Sequence, residues 1–167
     1  SWYRVLLAGS PKDIWRPISR IGGDKGWYFA NWLWEIRGFL DRLAGGYGTR
    51  RGRRHPEEIK TGDALDWWRV LDAEPPKRLF LLAEMKLPGE ATLEFRIKQE
   101  KNGVTELVQI ASFLPRGLQG LLYWYSVFPF HFFIFRGMLK EIAKAAGVIV
   151  ILGPEEVKPP PHKRKNI

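Results

Sequence analysis

The sequence predicts one soluble α+β domain in which a curved antiparallel sheet wraps a long C-terminal helix around an apolar interior. Two observations carry that prediction. Four runs of strand length lie between residues 64 and 113, separated by turn-forming segments at even spacing. Behind them, Gly117–Phe135 holds no charged residue and continues to Ala146 with helical character. A sheet with one apolar face must bury it, and this helix is the only element of the sequence long and apolar enough to do so. The length, 167 residues, suits a single domain.

From the N-terminus, Tyr3–Leu7 reads as a first strand. Ser10 is placed as an N-cap with Pro11 at the first helical position, and the short helix that follows carries Ile14, Trp15 and Ile18 on one face until Gly22-Gly23. A second helix is expected over Asn31–Leu43, with Leu33, Ile36, Leu40 and Leu43 as its apolar stripe, widened by Trp32 and Phe39, and Gly45-Gly46 ending it. Tyr47–Arg54 reads as a short edge strand. The four runs are Ala64–Ala73, Arg78–Lys86, Ala91–Gln99 and Thr105–Phe113. Within the third, Leu93, Phe95 and Ile97 alternate with Glu94, Arg96 and Lys98, the pattern of a half-buried antiparallel strand. Val148–Leu152 is compatible with a last strand or a trailing end. The domain is expected to span residues 1–153, and the Pro-rich basic segment 154–167 to be disordered. Strand, two short helices, a hairpin-rich sheet and a long helix make the helix-grip arrangement.

Composition narrows the function. Aromatic residues include eight Trp, and each buried ring hides roughly 150–250 Å², so the interior is either bulky or lines a cavity. Without Cys, disulfides, thiolate nucleophiles and Cys-ligated metal clusters are excluded. The same absence fits a reducing, cytoplasmic setting. The chain opens Ser-Trp-Tyr-Arg, with no signal-peptide pattern and no initial Met, as a fragment or processed chain would. The net charge of +9 is concentrated at Arg50, Arg51, Arg53 and Arg54 and in the tail at Lys158, Lys163, Arg164 and Lys165. That is not the basic face with interleaved stacking aromatics that nucleic acid requires. Gly117–Phe135 approaches the length of a membrane span, but Gln119, Pro129, His131 and its clustered aromatics favour a packed or interfacial helix. No stable insertion is expected, and peripheral membrane contact stays open.

Several runs carry a family resemblance: Ile21–Tyr28, Asn31-Trp32-Leu33-Trp34 with Arg37-Gly38 and Leu40-Asp41, Arg51–Arg54, Gly62–Val70, Glu84–Gly89, Pro115–Leu118, and Tyr123-Trp124-Tyr125 with Pro129-Phe130-His131. Together, over roughly residues 12–146, they resemble a domain family of undefined function often found C-terminal to NAD(P)-binding, epimerase-like Rossmann domains. It is similar to the START-like, polyketide-cyclase (helix-grip, SRPBCC) superfamily. The resemblance implies a fold and a ligand cavity between sheet and C-terminal helix, and it supplies no catalytic residues.

Each candidate site has two readings. Trp27, Trp34, Trp67, Trp68, Tyr123, Trp124, Phe128 and Phe132 either line a pocket for an apolar or planar ligand or fill a solid core. Alternation along one strand would keep Trp67 and Trp68 off a common face. His131, set among Phe residues, is an acid–base group or a satisfied core histidine whose neutral form burial favours. Arg69, Glu84, Lys86 and Glu94 lie at the surface or pair inside the grip. Arg51, Arg53 and Arg54 hold an anion or form a solvated basic loop. Asp63 reads as a turn residue, not as half of an acid–base pair with Asp66. No metalloprotease, phosphate-loop or nucleophile-elbow motif occurs, and no cofactor or metal is expected.

The expected function is therefore binding of an apolar, in one version anionic, small molecule. Trp27, Trp34, Trp67, Arg69, Glu84, Tyr123, Trp124 and His131 would contact the ligand, and Arg51, Arg53 and Arg54 its charge. Two alternatives stand beside it. One is a cyclase- or hydratase-like enzyme moving protons through His131 or Glu84. The other is an accessory domain for a Rossmann-type NAD(P)-binding partner.

Overall fold

The computed structural model describes residues 1–43, 45, 46, 52–86 and 88–159. Arg51, most of the edge strand expected at Tyr47–Arg54, and the basic end from residue 160 lie outside the described residues. The chain runs β1 (Trp2–Ala8), α1 (Pro11–Ile18), α2 (Asn31–Leu43), β2 (Ala64–Leu65), β3 (Trp68–Glu74), β4 (Arg78–Ala83), β5 (Gly89–Gln99), β6 (Val104–Pro115), α3 (Gly117–Ala146) and β7 (Ile149–Glu156). The strands form one curved, open antiparallel sheet in the order β2-β3-β4-β5-β6-β1-β7. The long α3 packs on it, as the sequence leads one to expect. The last strand continues through Glu156, past residue 153, where the sequence alone ends the domain.

Local chemistry sets the elements. Ser10 and Asp13 close a reciprocal capping box at the start of α1: Ser10 Oγ accepts from the Asp13 N–H at 3.3 Å, and Asp13 Oδ2 accepts from the Ser10 N–H at 3.2 Å. Along β1 the odd residues Tyr3, Val5 and Leu7 point inward, joined by Leu79 and Leu81 of β4, Leu93, Phe95 and Ile97 of β5, and Leu107 of β6. Ile14 and Ile18 of α1 and Met138, Leu139 and Ile142 of α3 belong to the same core. An extra residue at Leu71 shifts the β3–β4 register, the kind of bulge that bends and twists a sheet.

On the opposite face, Glu94 is buried, although alternation puts it on the polar side. Arg78 Nε reaches it at 2.6 Å, and Arg96 holds it in a bidentate fork at 2.8 and 2.9 Å. Two guanidiniums therefore cover one carboxylate. Burial works to raise its pKa, and the two guanidiniums outweigh that and hold it lowered.

Three expectations are corrected. The run Ala64–Ala73 is two strands, because Asp66 takes a left-handed backbone (φ +53°) and turns the chain between Leu65 and Trp68. Strand alternation then no longer separates Trp67 from Trp68, and both rings meet Trp27, at 6.3 and 5.8 Å between centroids. Second, α2 buries Trp34, Gly38 and Asp41 rather than its apolar stripe. Third, α3 covers the sheet mainly with its C-terminal half. Between Gly120 and Phe135 none of its residues is fully buried, and Leu122, Tyr125 and Phe133 are more than half exposed.

The capping box gives a direct test. Ser10→Ala is expected to lower stability by about 0.5–2 kcal/mol, read as an earlier denaturant midpoint with unchanged slope.

Candidate functional site

The turn at Asp66 starts the assembly of the site. Its carboxylate accepts from Trp27 Nε1 at 3.0 Å and from the Gly23 N–H at 3.2 Å. Gly22, Gly23 and Gly26 all have positive φ, so the loop closes around that carboxylate in a path other residues rarely take. Trp27, Trp34 and Trp67 then stack mutually at 5.1–6.3 Å. Because Trp34 belongs to α2, this stack docks the helix. A second attachment lies one end further on, where buried Asp41 accepts the Lys86 N–H at 2.9 Å. A third is the Arg37 Nε–H donated to Met85 Sδ at 3.4 Å.

Held this way, α2 stands off from α3 and leaves an open cleft of about 440 Å³ between them. Leu33, Trp34, Ile36, Arg37, Leu40 and Asp41 form one wall, and Tyr123, Val127, Phe130, His131, Ile134 and Phe135 the other. Met85, Lys86 and Pro88, between β4 and β5, close one end. Leu33, Ile36 and Leu40 of the apolar stripe on α2 form a cleft wall, and Leu43, Phe39 and Trp32 are exposed beyond it. Between α3 and the sheet lies a recess of about 50 Å³ over Leu93 and Ala111, room for one or two waters. The space of about 440 Å³ lies between two helices, beside the sheet–helix position of the sequence reading. Trp34, Arg37, Tyr123 and His131 border both spaces.

Polar groups are few, and some of them are unsatisfied. His131 Nδ1 and Trp68 Nε1, the latter at the recess, have no hydrogen-bond partner among the described residues, and the Tyr123 hydroxyl, which Arg37 approaches as a donor, has no acceptor for its own proton. Buried polar atoms are nearly always paired in folded proteins, so these groups around one hollow are informative. The guanidinium of Arg37 lies 5.5 Å from the Tyr123 ring centroid and makes no ion pair among the described residues. The His131 ring sits between Trp124, edge-on at 5.0 Å, and Phe135 at 4.9 Å. Burial pushes its pKa down to about 4, helped by the positive charges of Arg37 and the chain N-terminus. The imidazole is thus neutral at pH 7. Burial raises the Tyr123 pKa, with Arg37 acting against it.

The residues singled out from sequence fall into groups. Trp34, Tyr123 and His131 line the main cleft, and Trp124 the recess. Trp67 is fully buried in the tryptophan stack, and Trp27 is buried beside a separate polar hollow. Arg69 and Glu84 hold each other in a bidentate pair at 3.0 and 3.1 Å and line none of these spaces. A proton-transfer pair of Glu84 with His131 is therefore not assembled. Arg53 donates to four backbone carbonyls, those of Ser19, Ile21, His55 and Glu58. Arg54 forks onto Asp63. Arg37 was not among the sequence candidates. Its signal was a single charge one turn after Leu33, inside the apolar stripe of α2.

Comparison with known proteins places the chain. The sequence model of DUF2867, a protein family of unknown function, matches residues 2–138, and the chain belongs to that family. No curated protein matches it. Among solved structures it is similar to an HSP90 activator from Plasmodium falciparum, at 12% identity and a TM-score of 0.51, over 90% of this chain and 97% of that one. A conserved protein from Geobacillus kaustophilus is similar at 14% identity and a TM-score of 0.47, over 87% and 93%. The first of these likenesses shows the fold alone.

A lowered histidine pKa makes stability depend on pH with a defined sign. Between pH 6.5 and about 4 the unfolded chain binds the proton that folded His131 refuses, so stability falls as pH drops through that window. His131→Gln is expected to flatten this part of the curve, and NMR titration of the wild-type ring should show a midpoint near 4. A midpoint near 6.5 would contradict the buried, neutral imidazole.

Proposed function

We propose that this member of the DUF2867 family is a START-like small-molecule binding module whose ligand lies between α2 and α3. One observation supports the reading above the rest: a cleft of about 440 Å³, walled by apolar side chains, with a small set of unpaired polar groups on its lining. Binding sites for small molecules are typically of this size and composition, with few polar groups to fix orientation. The apolar surface that α2 and α3 leave open is then surface a bound ligand covers.

A second reading draws support from the exposed apolar side chains of the two helices. Trp32, Phe39 and Leu43 of α2 and Leu122, Tyr125 and Phe133 of α3 are exposed and do not line the cleft, and exposed apolar patches mark interaction sites. This supports an accessory role in which a partner, such as a Rossmann-type NAD(P)-binding domain, covers them. The HSP90 activator likewise acts on another protein, but a shared fold carries no function across.

The test separates the cleft from its rim. Val127→Trp fills the space from within and leaves the rim unchanged. Native mass spectrometry of protein purified from cells is expected to show a small-molecule adduct on the wild type that this variant loses. An adduct that persists in the variant, or none on the wild type, would count against the ligand reading.

A further inference from the structure

We infer that the occupant of the α2–α3 cleft is an amphiphile with a single carboxylate head, and that Arg37 is the residue that selects it. This rests on the cleft being a ligand site at all. The basic loop is the obvious place to look for anion binding, but its described arginines are engaged: Arg53 by backbone carbonyls and Arg54 by Asp63. Arg37 is different. It is half-buried on an apolar wall, and it meets the Met85 sulfur, the face of the Tyr123 ring and the Tyr123 side chain as a hydrogen-bond partner. A partly desolvated cation with no anionic partner among the described residues carries an unmet electrostatic demand.

The neighbouring groups define what meets it. The Tyr123 hydroxyl is a sealed, unused donor, and a carboxylate accepts from a phenol and from a guanidinium fork at once. His131 Nδ1 is unpaired on the same side of α3, in a neutral ring. Asp41, the carboxylate on the same wall, is engaged by the Lys86 N–H, so Arg37 is the partly buried cation that faces a single negative charge beside neutral partners. A phosphate monoester, near −2 at pH 7, would need a second buried cation, and Lys86 is exposed at the rim. The rest of the cleft is apolar, with Leu33, Ile36, Val127 and Ile134 on its walls, which suits a hydrocarbon or aromatic body.

Isothermal titration with decanoate, decanol and decylamine tests the inference, since the three differ only in the head. The wild type is expected to bind decanoate about tenfold to a hundredfold more tightly than decanol, the range for a hydrogen bond to a charged group, and decylamine weakest. Arg37→Gln should bring decanoate down to the decanol affinity while decanol itself is unchanged, which also reports that the cleft is intact. Arg37→Lys should keep part of the preference, and Tyr123→Phe should lose a smaller share of it. Equal affinity of the wild type for acid and alcohol would overturn the carboxylate assignment and leave the cleft as a site. A preference that survives Arg37→Gln would remove Arg37 as the selecting residue. If none of the three probes binds, the carboxylate assignment falls and the ligand reading loses its support with it.

Discussion

The buried hydrogen bond from Trp27 to Asp66 is the contact on which the functional half of the molecule depends. Asp66 is a carboxylate in a mostly apolar setting. Burial raises its pKa, while the Trp27 indole, the Gly23 amide and Arg53 work in the other direction. Its position requires a left-handed backbone between β2 and β3 and a run of glycines opposite. From that point the tryptophan stack extends to Trp34 and fixes α2 at its N-terminal end. Asp41 and Arg37 add a second hold, tying α2 to the segment after β4. The cleft is thus a consequence of how one helix is hung, not of a hollow in the sheet.

The two helices share an inverted logic. Each turns an apolar face away from the sheet core, and α3 does so over half its length. Apolar side chains left against solvent forgo the hydrophobic stabilisation they would gain by burial, about 25 cal/mol per Å². A chain that keeps so many of them open around one cleft has its apolar surface arranged for something other than its own folding. The contrast with the other face of the sheet is informative. There Arg78, Arg96 and Asp72 surround Glu94, and the charges satisfy one another. Beside the cleft, Arg37 finds no such partner among the described residues.

Much of this was legible in the sequence, for a local reason. Turn and cap chemistry is written in neighbouring residues, so Ser10-Pro11, Gly45-Gly46 and Pro115-Arg116-Gly117 mark element ends, and α2 spans the bounds its pattern gives. What was not legible depends on contacts between distant residues. The turn at Asp66 is held by Trp27 and Gly23, some forty residues earlier. The stripe on α2 is a genuine apolar stripe, but periodicity cannot say whether such a face meets a core or a cleft. Trp34, Tyr123 and His131 were visible because aromatic rings and imidazoles attract attention by type. Arg37 was hidden because a lone arginine on a helix ordinarily stands in solvent, and only the packing around it shows that this one is half-buried on a cleft wall.

The final consequence belongs to α3 as a mechanical element. It is a beam with two supports. Near one end Gly120 lies so close to Pro88 and Pro115 that a side chain there would collide with their backbone; at the other, Phe135 and the residues after it are clamped in the core. The stretch between forms one wall of the cleft and rests on the sheet through ring contacts, Tyr123 and Trp124 on Phe113 and Phe132 on Tyr3. Pro129 sits in the middle of that stretch, and with no N–H to donate it removes one rung of the helical ladder there. The helix is therefore one backbone hydrogen bond short at the level of Val127, Phe130 and His131, the residues it presents to the cleft, between ends that the sheet and the core hold.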